Sequence, residues 1–172
     1  GINGMTAFYS LSIFGTLYLV NKFFILPHYE LIINICLSIL VFMYVNVRNR
    51  ALAFGGDVGS VVLAYMIGFL VLESIILSGH YVFILFGCVY GIDAIFTIFR
   101  RILGHQNIFL PHRSHLYQLL VNELDWNFKT ISALYSIVQL IVNFVILFSV
   151  IIIPEYAIIV SIAILLSLCI CY

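Results

Sequence analysis

The segment Ile131-Ser-Ala-Leu-Tyr-Ser-Ile-Val-Gln-Leu140-Ile-Val-Asn-Phe-Val-Ile-Leu-Phe-Ser-Val150-Ile-Ile-Ile153 contains no charged side chain. Its length matches the roughly 20 residues that a helix needs to cross the hydrocarbon core of a bilayer. Because lipid offers no hydrogen-bond partner to the backbone, a spanning segment must be a helix or part of a closed barrel. The apolar residues form a continuous run and do not alternate with polar ones, which favours a helix.

The whole chain has a similarly apolar composition. Of its 172 residues, 65% are hydrophobic and 8% are charged, and its mean hydropathy is +1.22. These values exclude an ordinary soluble domain, and the net charge of zero gives no general attraction to nucleic acid. The sequence therefore predicts one all-α integral membrane domain over residues 1–172, as a fragment of a larger polytopic bundle. Apolar runs predict about six transmembrane helices: Met5–Val20, Tyr29–Val47, Val58–Leu77, Tyr81–Phe99, Ile131–Ile153 and Tyr156–Cys171.

Basic residues set the predicted orientation. If the spans alternate, one side of the membrane carries six of the seven basic residues and the other side carries only Lys22. Lys and Arg are enriched in cytoplasmic loops, so we expect the richer side to face the cytoplasm. The long loop from Arg100 to Thr130 lies on that side, as do both polar clusters described next. The six basic residues are Arg48, Arg50, Arg100, Arg101, Arg113 and Lys129.

The first polar cluster has the composition of an anion-binding site. A charged group inside a span costs about 2.5–3.5 kcal/mol on insertion scales, which makes Asp93 a functional candidate, although pairing with a neighbouring helix is an alternative. Arginine suits bidentate contact with phosphate, although Arg100 and Arg101 alone are also typical cytoplasmic anchors. The histidines lack zinc-site spacing and have no cysteine nearby, so phosphate contact is favoured. The candidate substrate-binding residues are Asp93, Arg100, Arg101, His112, Arg113, Ser114 and His115.

The second polar cluster is Phe54-Gly-Gly-Asp57-Val-Gly-Ser60, which places an acid among three glycines at the start of a predicted span. One interpretation is that Asp57 caps the helix, because Asp is among the best N-cap residues. The other is a ligand site, since glycines let the backbone approach a ligand closely. Mg²⁺ is typically held by one or two carboxylates together with phosphate oxygens, and Asp57 could supply one of them.

Through these segments the sequence resembles the polyprenyl-phosphate N-acetylhexosamine-1-phosphate transferases of glycosyltransferase family 4. Members of this family start lipid-linked peptidoglycan, teichoic-acid and O-antigen synthesis. The matching segments are Gly1-Ile-Asn-Gly4, Phe54–Ser60 and Asp93–Gln118, and they occur in the family's order and spacing. The form Pro-His-Arg-Ser-His-Leu-Tyr-Gln is most similar to the branch that initiates O-antigen and capsule.

The resemblance implies a reaction and a place for it. A UDP-N-acetylhexosamine would give its sugar 1-phosphate to undecaprenyl phosphate, with release of UMP and a requirement for Mg²⁺. Asp57 would be a metal ligand or catalytic carboxylate, Phe54 would lie near uracil, and Asn3 would hydrogen-bond the base. The loop His112–His115 would contact the phosphates of the nucleotide sugar. The enzyme would be a multi-pass protein of a bacterial inner membrane, with its active site facing the cytoplasm.

The sequence also departs from the family pattern. The Asp-Asp pair of the family's N-terminal half and the Asp expected just before Gly1 are missing, so the chain resembles the C-terminal portion of the enzyme. We therefore expect residues 1–172 alone to be inactive. The sugar, the polymer and the formation of a homodimer stay open. Two alternatives remain, namely a transporter or flippase component with Asp93 as an ion relay, and an inactive truncated remnant.

Overall fold

A computed structural model describes residues 2–110 and 113–172. Helices make up all the regular secondary structure in these ranges, which confirms the all-α prediction. Two short 3₁₀ turns, Tyr81–Leu85 and Pro154–Tyr156, accompany the α-helices. The α-helices are α1 (Met5–Phe24), α2 (Tyr29–Asn46), α3 (Gly56–Ser78), α4 (Cys88–Leu103), α5 (Leu116–Asn122), α6 (Phe128–Ile152) and α7 (Ala157–Cys171).

Four helical segments in the described residues are long and apolar enough to cross a membrane: α2, α3, α6 and Pro154–Cys171, which contains α7. Their outer faces carry large exposed apolar side chains, for example Val41, Val61 and Ile141. A surface of this kind is stable in lipid but not in water. These helices therefore indicate a membrane protein, although only four of the six expected spans have the length and hydropathy to cross a bilayer.

Helix α1 lies at the centre of the bundle. It packs against α6, α2 and α3, and Ala7, Phe14, Leu17 and Val20 have no exposed surface. The same helix buries polar side chains, including that of Thr16, which lower its hydropathy. Asn143 of α6 donates to the Thr16 hydroxyl at 3.4 Å. Such hydrogen bonds are a usual means of association between helices in a membrane.

The expected span Tyr81–Phe99 is not one continuous helix. A 3₁₀ turn over Tyr81–Leu85 is followed by Gly87, whose φ of +147° lies outside helical geometry and favours glycine, and α4 begins at the next residue. The first N–H groups of a helix have no partner within it, and inside a bundle they need one. The Gln139 side chain and the Tyr9 hydroxyl accept from Val89 N–H and Tyr90 N–H, both at 3.0 Å. These partners allow α4 to begin within the protein.

The long loop expected between Arg100 and Thr130 is also partly helical. Helix α4 continues to Leu103, α5 forms within the loop, and α6 already begins at Phe128. Asn127 explains that start, because its side chain accepts from the backbone N–H of Lys129 at 2.9 Å. Helix α5 packs against α6, so this part of the loop lies against the bundle.

The two polar clusters lie at the same end of the bundle, as the alternation of spans predicts. Asn3 donates to the Arg48 carbonyl at 3.1 Å, and Ser132 near the start of α6 donates to the Asn3 carbonyl at 3.2 Å. At the end of α7, Tyr172 donates to the carboxylate of Asp93 at 3.0 Å. The first two contacts join the beginning of α1 to the end of α2 and to the beginning of α6. The third joins the end of the chain to α4.

Candidate functional site

The glycine-rich segment brings Asp57 into the first turn of α3. The residue that caps this helix is Gly55, and Asp57 makes no capping hydrogen bond, so the structure does not use its carboxylate as the N-cap. Gly56 has a φ of +59°, where a side chain would be strained. The carboxylate is exposed and lies in the first turn of α3, at the positive end of the helix dipole. Asp57 is therefore available to a ligand.

Asn46 at the end of α2 connects three segments of this site. Its side-chain oxygen accepts from Gly4 N–H at 2.7 Å, and its amide donates to the carbonyl of Ala53 at 2.9 Å. Asn3 next to Gly4 donates to the carbonyl of Arg48. The first residues of the chain are thus tied to the 48–53 loop, which leads directly into Phe54 and Asp57.

A cleft of about 1000 Å³ opens between α2 and α3, with α1 forming its floor. This volume is at the upper end of the range for small-molecule sites. Asn3, Phe54 and Asp57, three residues predicted to take part in binding or catalysis, all line it. The rest of the lining is mainly apolar and includes residues of α2 and α3 such as Leu31, Ile35, Val62, Leu63 and Ile67. The cleft therefore has a polar mouth and an otherwise apolar lining.

Two side chains with oxygen atoms of the kind that Mg²⁺ binds lie at the mouth of the cleft. Asp57 and Ser60 both line it, although the Ser60 hydroxyl donates to the carbonyls of Gly56 and Asp57 at 3.0 Å. Among residues 2–110 and 113–172, no three His, Cys, Asp or Glu side chains come together. The chain therefore offers one carboxylate, and further ligands would be phosphate oxygens and water, as is usual for Mg²⁺.

Asp93 occupies a different position from Asp57. It is 1% exposed and is not part of the cleft wall. Its oxygen Oδ1 accepts from Leu116 N–H at 2.9 Å, from the Tyr172 hydroxyl at 3.0 Å and from the Thr97 hydroxyl at 3.3 Å. Its other oxygen accepts from the Tyr135 hydroxyl at 3.4 Å. Buried charged groups are usually satisfied by hydrogen bonds of this kind. The geometry of Asp93 therefore matches the alternative in which it pairs with neighbouring helices.

The two arginines of α4 contact the backbone of the following loop. Arg100 donates to the carbonyl of Ser114 at 2.6 Å. Arg101 is 7% exposed and donates to the carbonyls of Asn107 and, at 3.4 Å, Leu110. Both side chains thus tie Asn107, Leu110 and Ser114 to α4.

His115 is the residue that links the loop to the cleft. It caps α5 in a reciprocal arrangement with Gln118, and its Nδ1 lies 3.8 Å from Asp93 Oδ1. Its ring stacks on Tyr117 with centroids 5.5 Å apart and on Tyr90 at 6.0 Å. Both tyrosines line the cleft, and burial raises the pKa of the Tyr117 hydroxyl, which favours the protonated form. The loop therefore meets the cleft through a stack of three rings.

Two further loop candidates directly precede His115 in the sequence. Arg113 is exposed, and Ser114 is partly buried. His112 lies outside the described residues. Asn3, Phe54 and Asp57 thus line one cleft. Asp93, Arg100 and Arg101 instead make hydrogen bonds to the backbone of the adjoining loop.

The sequence interpretation missed several residues that shape the site. Asn46 and Tyr135 were read as ordinary members of apolar spans, and Tyr172 follows the last predicted span. Their functional contacts are made with residues far away in the sequence, so no local sequence pattern indicates them. An Asn directly before an Arg-containing loop was the one available signal.

Comparisons with known protein families, with curated proteins and with solved structures found no match for this chain.

Proposed function

We propose that this chain forms part of a membrane transferase that moves a sugar 1-phosphate from a UDP-N-acetylhexosamine to undecaprenyl phosphate. The observation that carries the proposal is the cleft, because Asn3, Phe54 and Asp57 come from separate segments and all line it. These residues are the ones to which the family resemblance assigns uridine and metal contacts. The polar mouth would also suit the phosphate of the lipid acceptor, and the apolar lining would suit its hydrocarbon chain.

In this proposal each part of the site has a separate task. Phe54 is 72% exposed and its ring is free to stack on uracil, while the Asn3 amide lies on the same cleft wall. Asp57 would hold Mg²⁺ together with substrate phosphate oxygens, and the ion would neutralise the negative charge of the pyrophosphate. Arg113 and His115, with Ser114 and His112, would contact the phosphates from the loop side.

The reaction has simple bond changes. An oxygen of the acceptor phosphate attacks the sugar-bearing phosphorus, the bond from that phosphorus to the bridging oxygen breaks, and UMP leaves with the electron pair. Catalysis of this type depends on positioning and on stabilisation of charge more than on covalent chemistry by the protein. A helix N-terminus with an acid and a loop with cationic side chains supply both requirements.

The placement in the membrane follows from the same residues. The proposed site lies at the end of the bundle that carries six of the seven basic residues, which is the cytoplasmic end by the positive-inside rule. UDP-sugars are made in the cytoplasm, and the phosphate of a polyprenyl lipid lies at headgroup depth. We therefore propose a bacterial inner-membrane protein whose site opens to the cytoplasm.

The test is UMP release by membranes that carry the full-length protein, supplied with UDP-N-acetylglucosamine. Reactions with and without undecaprenyl phosphate and Mg²⁺ would be compared. We expect release to need both, and Asp57→Asn to lower turnover by about 10²-fold or more, the usual loss when a charge-stabilising group is removed.

Asp125→Asn is a matched control, because Asp125 is an exposed carboxyl that does not line the cleft, and its φ of +54° is one that Asn tolerates. This variant should keep wild-type turnover. Wild-type release by the Asp57→Asn protein would reject the role of Asp57. No release from folded protein with any UDP-N-acetylhexosamine would reject the transferase and lead to flux assays for a transporter.

A further inference from the structure

The carboxylate of Asp93 receives hydrogen bonds from four different parts of the fold. The donors are Thr97 on α4, the first backbone N–H of α5 at Leu116, Tyr135 on α6, and Tyr172 after α7. An ionised carboxylate offers about four acceptor positions. Three of the donors share Oδ1, one reaches Oδ2, and the residue is 1% exposed. A substrate phosphate therefore has no access to this carboxylate.

We propose that Asp93 is a positioning residue that fixes the segment Arg113–Gln118 against the cleft and does not itself touch the substrate. That the segment meets nucleotide-sugar phosphates rests on the proposed function. The positioning itself rests on the hydrogen bond between Leu116 N–H and Asp93 Oδ1, at 2.9 Å, which sets where α5 begins. Because α5 is short, one bond at its start determines the place of the residues on both sides.

The effect of Asp93 reaches the cleft through His115. This residue directly precedes α5, and its ring stacks on Tyr117 and Tyr90, which line the cleft. Arg100 acts in the same direction, since it holds the carbonyl of Ser114 at 2.6 Å. If the bond to Asp93 is lost, the rings and the adjacent Arg113 lose their fixed position relative to the cleft.

Asp93→Asn is the sharpest variant, because it keeps the size of the side chain. The amide replaces one acceptor oxygen by a donor group, so some of the four buried donors lose their partner. Tyr172→Phe is the second variant, and it removes a hydroxyl that donates to Asp93 at 3.0 Å and lies 3.4 Å from the Thr97 hydroxyl, on a half-buried residue. Asp125→Asn makes the same chemical change on an exposed acid and serves as the matched control.

Two readouts are measured on the full-length protein. The first is limited trypsin cleavage after the exposed Arg113, whose rate follows the population in which the segment has detached. We expect Asp93→Asn to increase this rate severalfold, Tyr172→Phe to increase it less, and Asp125→Asn to leave it unchanged. The second is the pair of kinetic constants for the UDP-sugar. We expect Asp93→Asn to raise KM by about tenfold with a smaller change in kcat, a loss typical of misplaced binding groups.

The two readouts separate this inference from the proposed function. If the wild-type protein releases no UMP, the transferase fails, and the trypsin rates alone decide whether Asp93 positions the segment. If the wild type is active and Asp93→Asn leaves both the cleavage rate and KM unchanged, the positioning role is overturned. If Asp93→Asn does not fold, unchanged cleavage and KM in Tyr172→Phe overturn it. An equal loss of kcat with unchanged KM would mean that Asp93 acts in the chemical step, which also overturns the proposal.

Discussion

The hydroxyl of Tyr9 on α1 accepts the backbone N–H of Tyr90 at 3.0 Å and donates to the Gln139 side chain of α6 at 2.5 Å. One side chain thus completes the N-terminus of α4 and joins it to two other helices. Gln139 is fully buried and also donates to Asn143 at 2.6 Å. Since a buried N–H without a partner is costly, this pair explains why the helix can begin at Cys88 within the bundle.

Tyr9→Phe should destabilise the protein without changing its shape. The substitution keeps the buried ring but leaves Tyr90 N–H and the Gln139 oxygen with one partner fewer, at a cost of about 1–3 kcal/mol. Thermal unfolding in detergent would show a lower Tm. Tyr81→Phe is the matched control, because Tyr81 is 78% exposed and its hydroxyl should contribute little. Equal Tm values for the two variants would contradict the capping role of Tyr9.

Asn46→Ala should loosen the mouth of the cleft. It removes the acceptor for Gly4 N–H and the donor to the Ala53 carbonyl, so we expect a loss of about 1–3 kcal/mol for one buried and one partly buried hydrogen bond. Asn46→Asp keeps the acceptor and should lose less. Asn34→Ala on the same helix removes an exposed amide and should leave the free energy of unfolding nearly unchanged. Denaturant unfolding in detergent would rank the three variants, and any other order would reject this account of Asn46.

Arg113→Ala should weaken the use of the UDP-sugar while leaving the fold intact. Arg113 is exposed, so its loss costs little stability, whereas a charge-assisted contact with a phosphate contributes about 1.5–3 kcal/mol. We expect kcat/KM to fall by about tenfold or more, with partial recovery in Arg113→Lys, since Lys keeps the charge but not the bidentate geometry. His115→Ala should also reduce kcat/KM. Unchanged constants for both variants would refute the assignment of this loop to the substrate.

Arg50→Ala is the matched control for Arg113. Arg50 is also exposed and lies in a loop at the same end of the bundle, so it tests whether any basic residue there would have the same effect. We expect kcat/KM to be unchanged in this variant. A loss equal to that of Arg113→Ala would indicate a general electrostatic attraction and not a specific contact.

Tyr117 should give the protein an alkaline limit. Burial raises the pKa of its hydroxyl above the ordinary value of 10.0, because the charged form loses hydration. The folded state therefore favours the protonated form. Its contribution to stability is full below the pKa of the unfolded chain and is lost as the pH rises from about 10 toward the folded value.

Melting curves between pH 8 and pH 11 would test this limit. We expect the Tm of the wild type to fall more steeply above about pH 10 than that of Tyr117→Phe. Other alkaline groups are common to both proteins, so the difference between their slopes reports Tyr117. Parallel curves would show that this hydroxyl titrates equally in the folded and unfolded states.

The sequence predicted the parts of the structure that depend on local composition. Apolar runs gave the all-helical class and the positions of α2, α3, α6 and α7 within a few residues, since hydropathy acts residue by residue. The gathering of the polar clusters at one end followed from the alternation of spans. Asn3, Phe54 and Asp57 line one cleft, whereas Asp93, Arg100 and Arg101, which were predicted for the same site, do not line it.

The features that were missed depend on contacts between distant residues. The break before α4 requires Tyr9 and Gln139, which are 130 positions apart. The burial of Asp93 depends on Tyr172, which lies 79 positions later. A window of sequence cannot distinguish a carboxylate that faces a ligand from one enclosed by hydroxyls of other helices, because both are a single acid in an apolar run.

The central position of α1 in the bundle has a consequence for the synthesis of the protein in the cell. Helix α1 is absent from the set that is apolar enough to span a membrane by itself, and it shares buried hydrogen bonds with α6. Its partner Gln139 emerges from the ribosome 130 residues after Tyr9. During that interval α1 must be retained by the translocon, by an insertase or by neighbouring helices, so correct membrane integration of this chain depends on the order in which its helices leave the insertion machinery.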